Sequence, residues 1–144
     1  MIYKSVRNSE TLPPAAVQGL VDQASPKNEK AGITGILLVS GNRFMQVLEG
    51  PVSFVNQLYA KIVADGRHHS VELISYESIT STMFPDWSMK VLKLDEDLPT
   101  ELQRTLVNKY SELDGHILFP DDLPHVHALL LDARWGLLKS GQAG

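Results

Sequence analysis

The stretch Arg43-Phe44-Met45-Gln46-Val47-Leu48-Glu49-Gly50-Pro51 decides how this chain folds. An apolar run carrying one primary amide ends at Glu49-Gly50, and Pro51 then opens a helix, because its fixed φ and missing N–H suit a first helical turn. Side chains alternate along a strand, so Phe44, Gln46 and Leu48 share one face while Met45 and Val47 share the other. Both faces are apolar, so the sheet needs cover on both sides. Gln46 needs more than cover. Its amide has donors and an acceptor to satisfy, and leaving them unpaired inside a fold costs roughly 1–3 kcal/mol.

Upstream, Ile33-Thr34-Gly35-Ile36-Leu37-Leu38-Val39 is an almost continuous β-rich run, and Ser40-Gly41-Asn42 turns it into the Gln46 strand as a hairpin. Downstream, Val55, Leu58, Tyr59, Ile62 and Val63 lie on one helical stripe that closes near Asp65-Gly66. Val71 to Tyr76 then reads as a fourth strand and, after a linker from Glu77 to Pro85, Trp87 to Leu92 as a fifth. At the start, Ile2 and Tyr3 suit a first strand. Thr11 can cap a helix that accepts Pro13 and Pro14 in its first turn and repeats Val17, Leu20, Val21 and Ala24 at i, i+3, i+4 and i+7. Pro26 is expected to end that helix, leaving Asn28 in the loop before the second strand.

The order β-α-β-β-α-β with one further strand is the α+β, ferredoxin-like pattern, here with a five-stranded mixed sheet. Right-handed crossovers put the first and third strands side by side at its centre and both helices on one face. Tyr3 and Gln46 become neighbours. The other face is left to the C-terminal region, where Leu102, Leu106 and Tyr110 give one helical stripe and Leu123, Val126, Leu130 and Ala133 another, after Pro120. The expected division is a domain over 1–95 and a helical cap over 96–144, with fraying from Ser140 to Gly144.

Composition removes whole classes of function. The 144 residues suit a single domain, and zero cysteines exclude a disulfide framework, a thiol nucleophile and a cysteine zinc site. A net charge of −4 with scattered cations gives no footprint for nucleic acid. No run approaches a membrane span and the N-terminus has no long apolar segment, so a cytoplasmic location is expected. His125 and His127 are two apart on a helix and point different ways, which argues against a metal site. There is no glycine-rich phosphate loop and no nucleophile elbow. Glu10, Asp22, Glu29 and Glu49 read as solvated or capping residues.

Five motifs in order carry a resemblance. They are Tyr3 in the first strand, Asn28 before Gly32-Ile33-Thr34-Gly35, Phe44-Met45-Gln46-Val47-Leu48-Glu49-Gly50, Asp65-Gly66-Arg67-His68, and Phe84-Pro85-Asp86-Trp87-Ser88-Met89. Together they resemble the BLUF family, blue-light sensors that bind a flavin between the two helices of a ferredoxin-like fold. The resemblance implies FAD as the cofactor, with FMN or riboflavin as alternatives, lying against Gln46. Tyr3 would stand behind the amide and Asn28 at the ring's polar edge. Asp65, Arg67 and His68, and more remotely Lys27 and Lys61, would make further flavin contacts. Light would draw an electron and then a proton from Tyr3, with Gln46 as relay, and the rearranged amide would shift the flavin's absorption to longer wavelength.

By the same resemblance, Trp87 and Met89, at i and i+2 on one strand face, form the output strand, with Trp87 a competing electron donor. Two departures stand out: only two residues precede Tyr3, and Ser81-Thr82-Met83-Phe84 lacks the basic residue common before the phenylalanine. The implied protein is no enzyme. It signals through contact with a downstream protein of unknown identity, and Leu129-Leu130-Leu131, apolar nearly all round its helix, adds the expectation of a homo-oligomer. The competing readings are a ferredoxin-like interaction module without flavin and an acylphosphatase-like enzyme, for which Arg7-Asn8 is the one trace of an anion-binding loop.

Overall fold

The computed structural model describes residues 1–140, the side chains of the last two aside. Its central hairpin is β2 (Thr34–Ser40) and β3 (Arg43–Glu49), in continuous register from Ser40 opposite Arg43 to Thr34 opposite Glu49. The two strands meet so closely at Gly35 that a Cβ there would lie 1.8 Å from the Val47 carbonyl oxygen, so no larger residue fits. β1 (Ile2–Arg7) pairs antiparallel with β3, placing Tyr3 directly opposite Gln46. β4 (His68–Ser75) pairs with the far side of β1, and the short β5 (Lys90–Lys93) runs parallel to β2. The sheet order is β4-β1-β3-β2-β5, the mixed five-stranded arrangement expected from the sequence.

Strand alternation divides the core as the sequence requires. Tyr3, Phe44 and Leu48 pack with α1 (Val17–Ala31) and α2 (Val52–Ala64) through Val17, Val21 and Val55. Met45 and Val47 face the other way. There Ile36, Leu38 and Leu92 meet α3 (Thr100–Lys109) and α4 (Leu123–Ser140) through Leu106, Val126, Leu129, Leu130 and Ala133. No described helix is long and apolar enough to cross a membrane.

Several local expectations are corrected. Pro26 does not end α1; the helix runs on to Ala31 and closes at Gly32, whose N–H returns to the carbonyls of Asn28 and Glu29. A proline inside a helix removes one backbone bond and crowds one carbonyl, and here the packed turns on either side outweigh that loss. Asn28 is therefore helical. Thr11 is not the helix cap, since a 3-10 turn at Pro14–Ala16 intervenes and the Thr11 hydroxyl donates instead to the Gly66 carbonyl, 3.1 Å away. Val63 is about half exposed and lies off the buried stripe of α2.

The fourth strand starts earlier than expected, at His68, and the fifth starts later, at Lys90, so Trp87 and Met89 precede it. A further hairpin, β6 (Glu112–Leu113) and β7 (His116–Ile117), follows α3. It turns on Asp114-Gly115, both at positive φ, the backbone that an Asp-Gly pair favours. The expected fraying falls, beyond Ser140, on residues outside those described.

Candidate functional site

Between α1 and α2, on the helical side of the sheet, lies a cleft of about 230 Å³. Leu20 and Val21 of α1 and Leu58 and Ile62 of α2 form apolar walls, and Tyr3, Leu37 and Gln46 form the floor. Tyr3 is 3% exposed. Its hydroxyl donates to Gln46 Oε1, the partner that the amide was expected to need. Burial pushes the Tyr3 phenol well above its ordinary pKa, with smaller contributions from Tyr59 and Asp65, so the hydroxyl keeps its proton. Gln46 Nε2 donates to the Met89 sulfur at 3.3 Å, a weak acceptor.

Asn28 also lines the cleft and is 5% exposed. Its Nδ2 donates to the Ser88 carbonyl at 3.1 Å, which leaves Oδ1 to accept from a guest. The Ser25 and Ser88 hydroxyls bond to each other, so two contacts clip the end of α1 to the segment entering β5. His68 lines the cleft too, but both ring nitrogens are engaged, Nδ1 with Ser5 Oγ at 2.8 Å and Nε2 with the Ile62 carbonyl at 2.5 Å. It braces α2 against β1, and its ring lies edge-on to Tyr3. Asp65 and Arg67 pair at 2.6 Å; the guanidinium's hydrogen bonds hold the carboxyl below its usual range, and the carboxylate raises the guanidinium in turn. Lys61 stands at the cleft, whereas Lys27 lines an adjoining outer groove.

Trp87 and Met89 do not share a face. They lie in irregular backbone before β5, where strand alternation does not apply. Met89 is buried on the cleft side beneath the helices. Trp87 packs against the core on the cap side, its ring stacked on Phe84 with centroids 5.8 Å apart and Lys90 Nζ above it. That placement takes the indole away from the cleft. Its Nε1 is buried without a hydrogen bond among the described residues.

Three contributors, Ser25, Ser88 and Glu49, go beyond what was expected from the sequence, as does the contact of Met89, expected in the output strand, with the amide. Met89 enters as Gln46's second partner, and Ser25 and Ser88 as the clip on Asn28. Glu49 is not solvated: it is buried, and its carboxylate accepts from the backbone N–H groups of Met83 at 2.9 Å and Phe84 at 3.0 Å. Strand alternation could have shown Glu49 to be inward, but nothing in the sequence names a partner 34 residues away. Arg7, the trace of an anion-binding loop, directs Nη1 to the Leu12 carbonyl at 2.7 Å.

Apolar parallel walls, two amides at the inner edge and cations at the mouth suit a flat ring system with one polar edge and an anionic tail. The cleft fits such a guest.

Comparison with known proteins points the same way. A family described as sensors of blue-light using FAD, BLUF, matches residues 1–90. The chain is 30% identical over 107 residues to the photoactivated adenylate cyclase subunit beta of Euglena gracilis, covering 74% of this chain but 12% of that protein. Thus it spans about an eighth of that relative's length. Among solved structures, the ground state of BlsA is similar with a TM-score of 0.74 and 27% identity, over 92% of this chain and 84% of that one. The dark state of BlrB, a BLUF protein, is similar with a TM-score of 0.66 and 32% identity, over 92% and 93% of the two chains.

Proposed function

The chain belongs to the BLUF family, sensors of blue light that use FAD, and on that premise we propose how its own residues sense and report light. The hydrogen bond from Tyr3 to Gln46 on the cleft floor carries the reading. A bound flavin, FAD by the family's description, would supply the blue-light absorption and the electron-accepting photochemistry. Tyr3 would donate the electron and the proton held at its hydroxyl, and both return to Tyr3 on recombination, which leaves the phenol intact and only the amide rearranged. Gln46 stands between Tyr3 and the guest and relays the proton. Asn28 offers Oδ1 to the ring's polar edge, Asp65, Arg67 and His68 frame the inner mouth, and Lys61 and Lys27 lie along the path of the tail.

A glutamine amide has two ends of nearly equal size and opposite hydrogen-bond sense, so it can invert with little steric cost. Inversion turns Nε2 toward Tyr3 and Oε1 toward Met89. The Met89 sulfur then faces an acceptor instead of a donor and loses its hold on Gln46. Met89 is the residue before β5, so the loss passes into the strand that joins both cores. On this reading residues 1–95 are the sensor and 96–144 the output extension, acting through contact with a partner protein. The more than half-exposed stripe Leu131, Trp135 and Leu138 on α4 supports assembly with a second copy.

The test of the whole reading is optical. The purified chain should carry flavin, and blue light should move its absorption band reversibly to longer wavelength. A protein that takes up no added flavin overturns the reading. Met89→Ala separates sensing from reporting: the spectral shift should persist, while the light–dark difference in hydrogen exchange of β5 and α4 falls about fivefold, equivalent to roughly 1 kcal/mol of coupling. An undiminished difference removes Met89 from the output path.

A further inference from the structure

α4 is apolar on two opposite faces. Its inner face, with Val126, Leu129, Leu130, Ala133 and Leu137, is buried in the core that the sheet and α3 share. At about 100° per residue, Leu131, Trp135 and Leu138 fall on the diametrically opposite side, and each is more than half exposed. The partly exposed Ala128 precedes them, so the outer residues follow at steps of three, four and three, the spacing of a helix-on-helix seam. Leu131, Trp135 and Leu138 line a shallow recess of about 560 Å³ that Asp132 and Arg134 border. A helix apolar all round is one that is covered all round.

The order of sizes along the stripe selects the cover. Read in the opposite direction, the stripe matches itself. About a two-fold axis level with Ala133, Ala128 meets Leu138 and Leu131 meets Trp135, so every layer holds one larger and one smaller side chain. A parallel pair would set Trp135 on Trp135 and Ala128 on Ala128, overfilling one layer and underfilling another. The flanks differ as well. Asp132 is taken by Lys109 and Tyr110, whereas Arg134, on the other flank, has no ion-pair partner among the described residues. An antiparallel pair joins like flanks, which brings the two Arg134 side chains together near the axis. A parallel pair would keep them on opposite sides.

We propose that the outer face of α4 is a self-docking seam, through which two copies of this chain pair antiparallel and reversibly. The proposal deepens, and rests on, the reading that the chain assembles with a second copy. Reversibility follows from area and charge. The stripe contributes on the order of 300–400 Å² per copy, less than half of the about 800 Å² per partner of a stable interface, and the facing arginines subtract from it. The pair therefore forms near about 0.1 mM and parts on dilution. The inner face of the same helix shares a core with β3 and β5, so a small shift there is enough to bias so weak a seam.

The experiment is analytical ultracentrifugation of the full chain as purified, in the dark, from about 10 µM to about 1 mM. The parent should pass from monomer to dimer across this range. Leu131→Ser and Trp135→Ser should each weaken pairing at least about tenfold, with the absorption spectrum of the parent retained as the check on folding. Arg134→Glu reads the direction of pairing without altering the apolar stripe. Alone it should pair about as weakly as the parent, since glutamate then faces glutamate. Mixed in equal amounts with the parent at low salt, it should pair about threefold more tightly than either alone, and added salt should remove that gain. Absence of the gain overturns the antiparallel seam. A dimer unmoved by both serine substitutions overturns the proposal and leaves assembly standing on another surface. A monomer throughout overturns both.

Discussion

Gln46→Leu is expected to keep flavin bound but to abolish the light-induced shift of its absorption. Leucine preserves much of the bulk on the cleft floor, where Leu37 and Phe44 already make the surroundings apolar. It removes both polar ends of the amide. Without Oε1 the Tyr3 hydroxyl loses its acceptor, and without Nε2 the Met89 sulfur loses its donor. No group remains at that position that could reverse its hydrogen-bond sense. The buried, unpaired phenol should lower stability by about 1–3 kcal/mol, visible in urea unfolding of the dark protein. Dark and illuminated absorption spectra of the variant should coincide. A shift equal to that of the parent would show that the amide is not the switch.

Tyr3→Phe removes the proton and leaves the ring. The yield of the shifted state should fall by at least about a hundredfold, the scale set by losing a positioned proton donor. Flavin binding should be retained, since the ring still packs near Tyr59 on the apolar floor. Trp87 offers no ready substitute, because it lies on the cap side of the sheet. An ordinary photocycle in this variant would reassign the donor. The same variant has a second signature in its pH dependence. Burial raises the folded-state pKa of Tyr3, so its contribution to stability is complete below the ordinary phenol value of about 10 and declines above it, where the unfolded chain releases a proton that the folded chain retains. The parent should therefore lose stability through that alkaline range by up to about 1.4 kcal/mol per pH unit per such tyrosine. Tyr3→Phe should flatten the decline in part. Tyr110, raised by burial and by its bond to Asp132, keeps its own share.

Much of the fold could be read from local pattern. Alternation around Gln46 assigned the two faces of β3, and the crossover rule put Tyr3 and Gln46, 43 residues apart, on neighbouring strands, while the register that sets them directly opposite is a finding of the structure. The cap helices followed from the need to cover a second apolar face. The misreadings have different causes. Pro26 is a helix breaker by local criteria, whereas the helix is held by packing on both sides of it. The hairpin at Asp114-Gly115 carries a strong turn signal, but its strands are only two residues long and show no alternation. The opposed placement of Trp87 and Met89 was not legible because it depends on irregular backbone fixed by distant groups. Those groups are Glu49 on Met83 and Phe84, Gly35 N–H on the Trp87 carbonyl, and Asn28 on Ser88.

The Glu49 carboxylate has a further consequence. It pins Met83 and Phe84 to the end of β3, three residues from the amide that Met89 must reach. The chain from Phe84 to Met89 is thereby a fixed ruler measured from the same strand that bears the switch. The connection between Ser75 and Met83 is relieved of any metrical duty. Its length and sequence can drift without altering where the sulfur arrives, whereas a single residue added between Pro85 and Ser88 changes the measure itself.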